Sequence, residues 1–375
     1  MKAGWEIRTL GDACQIARGG SPRPIQQFLT DDPDGVNWIK ISDGTASGKF
    51  IYETKEKIKP SGVSRSRLVN PGDFLLSNSM SFGRPYIMQT TGCIHDGWLV
   101  LSDYEKCFDQ TFLYHLLGSP VVFEQFNRLA AGSTVRNLNI ELASRVSLPV
   151  PPLPEQHRIV AILDEAFDGI ATAKANAEKN LQNTRALFES HLQSVLTERG
   201  EGWVTTTLGE CFRLKSGDGL TSKAMKAGKY PVYGGNGIAG MHDEFNLSGD
   251  NVIIGRVGAL CGNARCITER IWLTDNAFKI VDFSYEFDSA FLTYLLNFKN
   301  LRGLARQAAQ PVISNSSLKD LVLDFPAQSE QQRIAIQLDA LVVEIERLAS
   351  LYQQKLTALD ALKKSLLHQA FSGKL

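Results

Sequence analysis

Few of the groupings that perform covalent chemistry are present in these 375 residues. The six histidines are dispersed, with no HExxH and no paired ligand spacing, and the six cysteines (14, 93, 107, 211, 261, 266) show no CxxC. A metal site is therefore not expected, nor are disulfide staples in a chain this long. "GTASGK", Gly44 to Lys49, has the wrong spacing for a phosphate-binding loop and lacks the following Ser or Thr. No GxGxxG opens a βαβ unit, and no [DN]PP[YF] is present to hold a base flipped out for amino-methylation. "DDPDG", at Asp31, reads as a turn. The chain is expected to be non-catalytic, without metal or cofactor of its own.

What remains is hydrogen-bonding chemistry in glycine-rich polar loops. "ARGGSPRP" offers Arg18, Ser21 and Arg23; "WIKISDGTASGK" offers Lys40 and Ser42; "PGDFLLSNSMSFGRP" offers Asn78 and Arg84. "GSTVRNLN" adds Ser133, Thr134 and Arg136. Later in the chain Lys215, Lys223, Tyr233, Asn236, Arg256, Asn263, Ser314 and Asn315 sit in comparable settings. Arg can fork onto guanine, Asn onto adenine, and Ser or Lys onto phosphate. The run "KEKIKPSGVSRSR", Lys55 to Arg67, could track phosphates or simply form a solvated face. "GKYPVYGGNGIAG", Gly228 to Gly240, is explained by a tight hairpin needing positive φ, or by a backbone that approaches DNA with Tyr233 and Asn236 displayed. Both readings are compatible.

These loops are positioned by elements that occur twice. "LPEQHRIVAILDEAF" from Leu153 returns as "QSEQQRIAIQLDALV" from Gln328, so that Glu155, Arg158, Ile159, Leu163 and Asp164 fall on Glu330, Arg333, Ile334, Leu338 and Asp339, 175 residues on. Apolar or small residues continue at Ala166, Ile170, Ala173, Ala177, Leu181, Thr184 and Leu187, matched by Leu341, Ile345, Leu348, Tyr352, Leu356, Leu359 and Leu362. Spacings of three and four mean helix, and one four-plus-four step shared by both copies breaks heptad phase at the same place. Pro154 suits a first turn, Ser329 with Gln332 fits a capping box, and Gly200 and Gly373 are placed to end the helices. Each helix is expected to run about 40 residues, roughly 60 Å. An uncovered apolar stripe of that length would be insoluble, so the two are expected to pair antiparallel.

The segments before each helix repeat too. "WEIRTLGDACQIARGG" from Trp5 resembles "WVTTTLGECFRLKSGD" from Trp203, and "FLYHLL" at Phe112 parallels "FLTYLL" at Phe291. Short β-like runs ("VNWIKIS", "DFLLS", "NVIIGR", "FKIVDF") precede helices at "QTFLYHLLGSPVVFEQFNRL" and "SAFLTYLLNF". The expected fold is α+β: two domains, each followed by a long helix, related by pseudo-twofold symmetry. The boundaries fall at 1–150, 151–199, 203–326 and 327–375. The 40 Lys and Arg balance 40 Asp and Glu, which excludes binding to nucleic acid by bulk charge. No apolar run reaches membrane length and the start lacks a signal-like apolar region, so a cytoplasmic protein is expected.

Taken together, "PPLPEQHRIVAILD" and its copy, the paired "TLG" openings, "YPVYGGNGI" and "WLTDNAF" resemble the specificity subunit of type I restriction-modification systems, over essentially the whole chain. The resemblance implies two target-recognition domains, each reading half of an asymmetric bipartite site in double-stranded DNA, with the helix pair fixing the gap. It implies two modification subunits that carry AdoMet and methylate adenine, and restriction subunits that add ATP- and Mg-dependent translocation and cleavage in phage defence. By position it implies partner docking at Pro154, Glu155, Gln156, Arg158, Glu330, Gln331 and Arg333. A specificity-like subunit of another defence complex, a stand-alone methyltransferase and a coiled-coil scaffold are the competing readings.

Overall fold

The computed structural model describes residues 2, 4–78, 82–130, 137–305 and 311–375. The chain forms two compact units, Met1–Ala177 with Gln354–Leu375, and Glu178–Gln353. The long helices Leu153–Thr197 and Gln328–Phe371 are each divided between the units. Among the described residues no helix is long and apolar enough to cross a membrane.

Unit 1 begins with strand Glu6–Thr9, paired antiparallel with Ser147–Val150, the strand that leads into the first long helix. A five-stranded sheet follows in the order Gln15–Arg18, Trp98–Ser102, Phe74–Ser77, Pro85–Met88, Phe50–Ile51. A second runs Leu29–Thr30, Glu56–Ile58, Val36–Ile39, Gly92–Ile94, Arg67–Val69. Phe74 to Ser77 is buried at every position, which is why its run of apolar residues does not alternate.

Unit 2 repeats the frame. Val204–Thr207 pairs with Val322–Phe325, and a four-stranded sheet runs Arg213–Ser216, Ala277–Val281, Asn251–Gly255, Ala264–Ile267. Its order matches the first four strands of unit 1. A smaller sheet holds Gly237–His242, Tyr230–Gly234 and Trp272–Leu273. The duplication reaches single backbone angles: Asp103 and Asp282, which end equivalent strands, have φ of 57° and 54°.

Each core includes one end of each long helix. In unit 1, Ile159 and Leu163 meet Leu367, Ala370 and Phe371 beside Phe112 and Leu116. There the helices run antiparallel, with Lys363 over the Phe167 ring and Lys174 2.9 Å from Asp360. In unit 2, Ile334 and Leu338 share a core with Phe188, Leu192 and Leu196. Full burial of one such Leu or Ile contributes about 1.5–3 kcal/mol.

Three sequence expectations change. The run Gln110 to Leu129 is two helices, Gln110–Leu117 and Pro120–Leu129, because the Ser119 side chain caps Val122 and Pro120 starts a new first turn. Ser329 lies inside its helix, which begins at Gln328, so it is not the cap. Leu187 and its counterpart Leu362 are both exposed, and Phe188 turns into the core instead. Gly373, at φ 72°, does end the second long helix.

Candidate nucleic-acid interface

In unit 1 three segments meet at one end of the first sheet. Gly19, just past strand Gln15–Arg18, donates to the Trp98 carbonyl at 2.9 Å, and Gly20 donates to that of Ile94 at 3.1 Å. Asn78, just past Phe74–Ser77, donates its backbone N–H to Gly97 O at 3.0 Å and accepts from Leu138 N–H at 2.9 Å. Between them lies the turn His95–Asp96–Gly97. Arg18 Nε and Asn78 Nδ2 both donate to the Asp96 carbonyl, at 3.0 and 2.9 Å. The Asp96 carboxylate accepts from Ser21 Oγ at 2.7 Å and pairs with Arg23 at 3.3 Å. The Ser21 hydroxyl, with Arg23 and neighbouring charge, holds that carboxyl below its usual range. Burial lowers the pKa of His95 beside it. Asn78 Oδ1 and Asn137 Oδ1 are buried there without a hydrogen-bond partner among the described residues, and orphaned buried acceptors of this kind are costly.

Unit 2 builds the same crossing from other side chains. Gly217 donates to Ala277 O at 3.2 Å and Asp218 to Leu273 O at 3.0 Å. Arg256, in the place of Asn78, donates its N–H to Asn276 O at 2.9 Å and accepts from Ile313 N–H at 3.0 Å. Its guanidinium lies 5.4 Å from the Phe278 ring centroid, donates to the Asp275 carbonyl at 3.3 Å, and leaves Nε buried without a partner among the described residues. Neither copy tolerates a side chain at the crossing glycine. A Cβ on Gly19 would sit 2.1 Å from His95 O, and one on Gly217 would sit 2.1 Å from Leu273 O.

Arg18, Ser21, Arg23 and Asn78 are thus brought together in unit 1, and Arg256 and Ser314 flank the equivalent place in unit 2. Ser314 caps the short helix Asn315–Leu318, as Asn139 caps Ile140–Ser144, while Asn315 Nδ2 donates to Leu214 O at 3.1 Å. Lys40 and Ser42 line a groove of 1110 Å³ that adjoins the unit 1 crossing through Ser21, Arg23 and His95, over Trp38 and Ile41. Lys40 is paired there with Glu56 at 2.5 Å. Arg84, whose carbonyl accepts from Ser77 N–H at 3.0 Å, lines a second cavity with Tyr114, His115 and Lys363. Lys215 and Lys223 are exposed, and Asn263 is an exposed residue of the turn before Ala264–Ile267. Ser133, Thr134 and Arg136 lie outside the described residues.

The Gly-Gly-Asn-Gly run is a hairpin turn, with Gly237 at φ 95°. Tyr233 is not displayed as expected: its ring is buried with Leu247, Ile253 and Leu273. Asn236 is exposed, and its Oδ1 accepts from Leu260 N–H at 2.9 Å. Sequence reading missed Asp96 and His95. The matched spacing of "HDGW" and "TDNA" before equivalent strands was the available signal.

At the expected docking positions, Pro154 is exposed and Glu155 is gripped by Arg158 and Lys2, each at 2.7 Å, which pushes its carboxyl down to about 2. Arg333 forks onto Glu330 in the same i, i+3 way. Gln156 and Gln331 are corrections, because both are buried and hydrogen-bonded inside their own unit, out of a partner's reach. All six cysteines are free thiols, and no cluster of His, Cys, Asp and Glu suited to a metal occurs among the described residues.

A fold made of two copies of one reading frame, each with a polar crossing of different composition, defines a duplicated recognition protein. The family model described as type I restriction modification DNA specificity domain matches residues 2–182 and 200–354. The chain belongs to that family. It is 26% identical over 348 residues to the EcoprrI specificity subunit of Escherichia coli, covering 88% of this chain and 86% of that one. It is 21% identical to the StySPI specificity subunit of Salmonella potsdam, covering 100% and 90%. A chain from a structure of complex assembly and conformational transition in a type I R-M system superposes with a TM-score of 0.83 at 18% identity, over 100% of this chain and 99% of that one. The HsdS subunit from Thermoanaerobacter tengcongensis gives 0.68 at 20% identity, over 100% and 98%.

Proposed function

We propose that each cassette reads one half of an asymmetric bipartite site in double-stranded DNA and that the chain addresses partner enzymes to it. The observation that carries this is the duplicated crossing, with one backbone frame, the same intolerant glycine, and Asn78 exchanged for Arg256. Arg suits guanine edges, whereas Asn78 is buried and its amide holds the Asp96 carbonyl, so the two crossings offer different side chains, the half-sites differ and the motif is not palindromic. The chain supplies address and no catalysis. Modification subunits bring AdoMet and methylate adenine, and restriction subunits bring ATP- and Mg-dependent cleavage, within the cytoplasm.

The second long helix supports a partner surface. Ile336, Ala340 and Val343 are exposed on one face, with Leu351 on that face beyond the charged Arg347, whereas their counterparts in the first copy are Ala161, Glu165, Asp168 and Asn176. Apolar exposure at helical spacing marks a binding face.

The test is adenine-methylation sequencing of a host with and without this gene. Loss of one interrupted asymmetric motif is the expected result, and replacing Arg256 with Ala should relax one half-site alone, by about 1–3 kcal/mol at the base it reads. Uniform loss at both half-sites would refute the assignment of Arg256.

A further inference from the structure

Where recognition loops differ between the units, one set of polar contacts does not. In unit 1, Gln156, in the first turn of its long helix, is a buried fork. Its Oε1 accepts from the backbone N–H of Asp109 at 2.8 Å, and its Nε2 donates to Cys107 O and Pro151 O, both at 2.8 Å. Two turns on, Asp164 Oδ1 is hydrogen-bonded to His115 Nε2 at 2.8 Å. In unit 2, Gln331 accepts from Asp288 N–H at 3.0 Å and donates to Glu286 O at 3.2 Å and Pro326 O at 2.9 Å. Asp339 there accepts from the Tyr294 hydroxyl at 2.6 Å. Asp109 and Asp288 are the N-caps of the equivalent helices Gln110–Leu117 and Ser289–Phe298.

The geometry assigns a function to this repetition. The fork ties the start of the domain's helix to the first turn of the long helix, and the aspartate ties its second turn to a point about 12 Å further along, by the rise of an α-helix. A single tie would leave a hinge, whereas two fix rotation as well as position. The apolar contacts alongside (Ile159, Leu163 and Phe112; Ile334, Leu338 and Phe291) supply adhesion. They are non-directional and permit rolling, while hydrogen bonds weaken steeply off axis. Gln156 and Gln331 are buried, so neither fork can exchange its partners for water.

We propose that this duplicated clamp makes Gln156, Asp164, Gln331 and Asp339 positioning residues for sequence recognition: it holds each reading domain at a fixed angle on its long helix and so sets the spacer between half-sites that the complex accepts. The inference rests on the bipartite-site reading above. It assigns to the clamp the tolerance of the spacer and not the identity of the bases.

The test uses the assembled complex with its modification subunits, assayed for adenine methylation on a DNA library in which the spacer varies around the native length. Tyr294→Phe removes one hydroxyl and keeps the packed ring, and Gln331→Leu removes the fork at nearly constant volume. Each variant should methylate the same bases while the rate ratio between the native spacer and a spacer one base pair longer or shorter falls by about tenfold, the 1.4 kcal/mol scale of one such hydrogen bond. A merely structural role would lower the rate at every spacer alike and leave that ratio unchanged. An unchanged ratio in folded Tyr294→Phe, or a change in the bases read, overturns the proposal. A wild-type complex with no bipartite motif would instead overturn the reading beneath it. Should Gln331→Leu fail to fold, Tyr294→Phe alone decides.

Discussion

His115 and Tyr294 occupy the same place in two copies of one helix and bond to the same aspartate of the repeat, yet only the histidine is a residue type whose ordinary pKa lies near neutrality. Burial lowers the pKa of His115; Asp164 on the first long helix opposes that, while Lys49 from the segment before Phe50–Ile51 and Lys363 on the second long helix add to it. Because the folded state binds the proton less readily than the unfolded chain, the stability this group contributes is fully present above its ordinary value near 6.5. It is lost as pH falls through the lower folded value. Tyr294 behaves differently, its pKa being raised by burial and by Asp339, far from this range. His115→Tyr should therefore flatten the loss of thermal stability between pH 7 and pH 5, and the adjoining 330 Å³ cavity gives the larger ring room. Each kcal/mol removed corresponds to about 2–4 °C for a unit of this size. Parallel melting curves of wild type and variant across that range would show that His115 carries none of the acid sensitivity.

At the scale of elements, the crossing depends on glycines that no loop flexibility explains. In Gly217→Ala the new Cβ would lie 2.1 Å from Leu273 O and 2.7 Å from Thr274 O, both backbone, so relief requires moving a strand. The expected cost is about 2–4 kcal/mol, in the range of strained core substitutions. Gly219→Ala in the same loop meets nothing within 4 Å at an ordinary φ, and should change stability by about 0.5 kcal/mol or less. Urea unfolding of both variants decides the point, and equal losses would mean that the loop is simply intolerant. Much at this scale was legible in sequence. The long helices announced themselves because a 3.6-residue period survives substitution, and the two-domain α+β plan followed from their duplication. The break at Ser119 and Pro120 was readable from capping chemistry but was overrun by an apparently continuous apolar pattern. Gln156 was not readable at all: a polar residue beside Glu and Arg looks like surface, and its partner is a backbone N–H that no sequence displays. The crossing was half legible, since Arg18, Ser21, Asn78 and Arg256 stood out by type, while Asp96 joined them only through strand pairing distant in sequence.

For the whole molecule, charge decides what it can do alone. Lys and Arg exactly offset Asp and Glu, so long-range attraction to DNA is weak, and several local cations are already paired: Arg23 with Asp96, Lys40 with Glu56, Arg158 with Glu155. Non-specific binding to a duplex gains its free energy chiefly from phosphates neutralised and counterions released, and a cation already paired with a carboxylate adds less of either. The isolated chain should therefore bind its own site weakly, with a shallow dependence of log affinity on log salt, whereas addition of modification subunits should steepen that slope and raise affinity about a hundredfold or more. The exposed face carrying Ile336, Val343 and Leu351 links the two behaviours. A double replacement, Ile336→Glu with Val343→Glu, alters residues already in solvent, so it should leave the fold and the weak intrinsic binding intact while abolishing most of the gain from partners. Titrating labelled duplex with the chain alone, with partners, and with the double variant plus partners, each at several salt concentrations, resolves all three terms. Tight, sequence-specific binding by the chain alone at moderate salt would place the recognition energy in the two domains by themselves, and a double variant that still gains fully from partners would move the docking surface off this helix face.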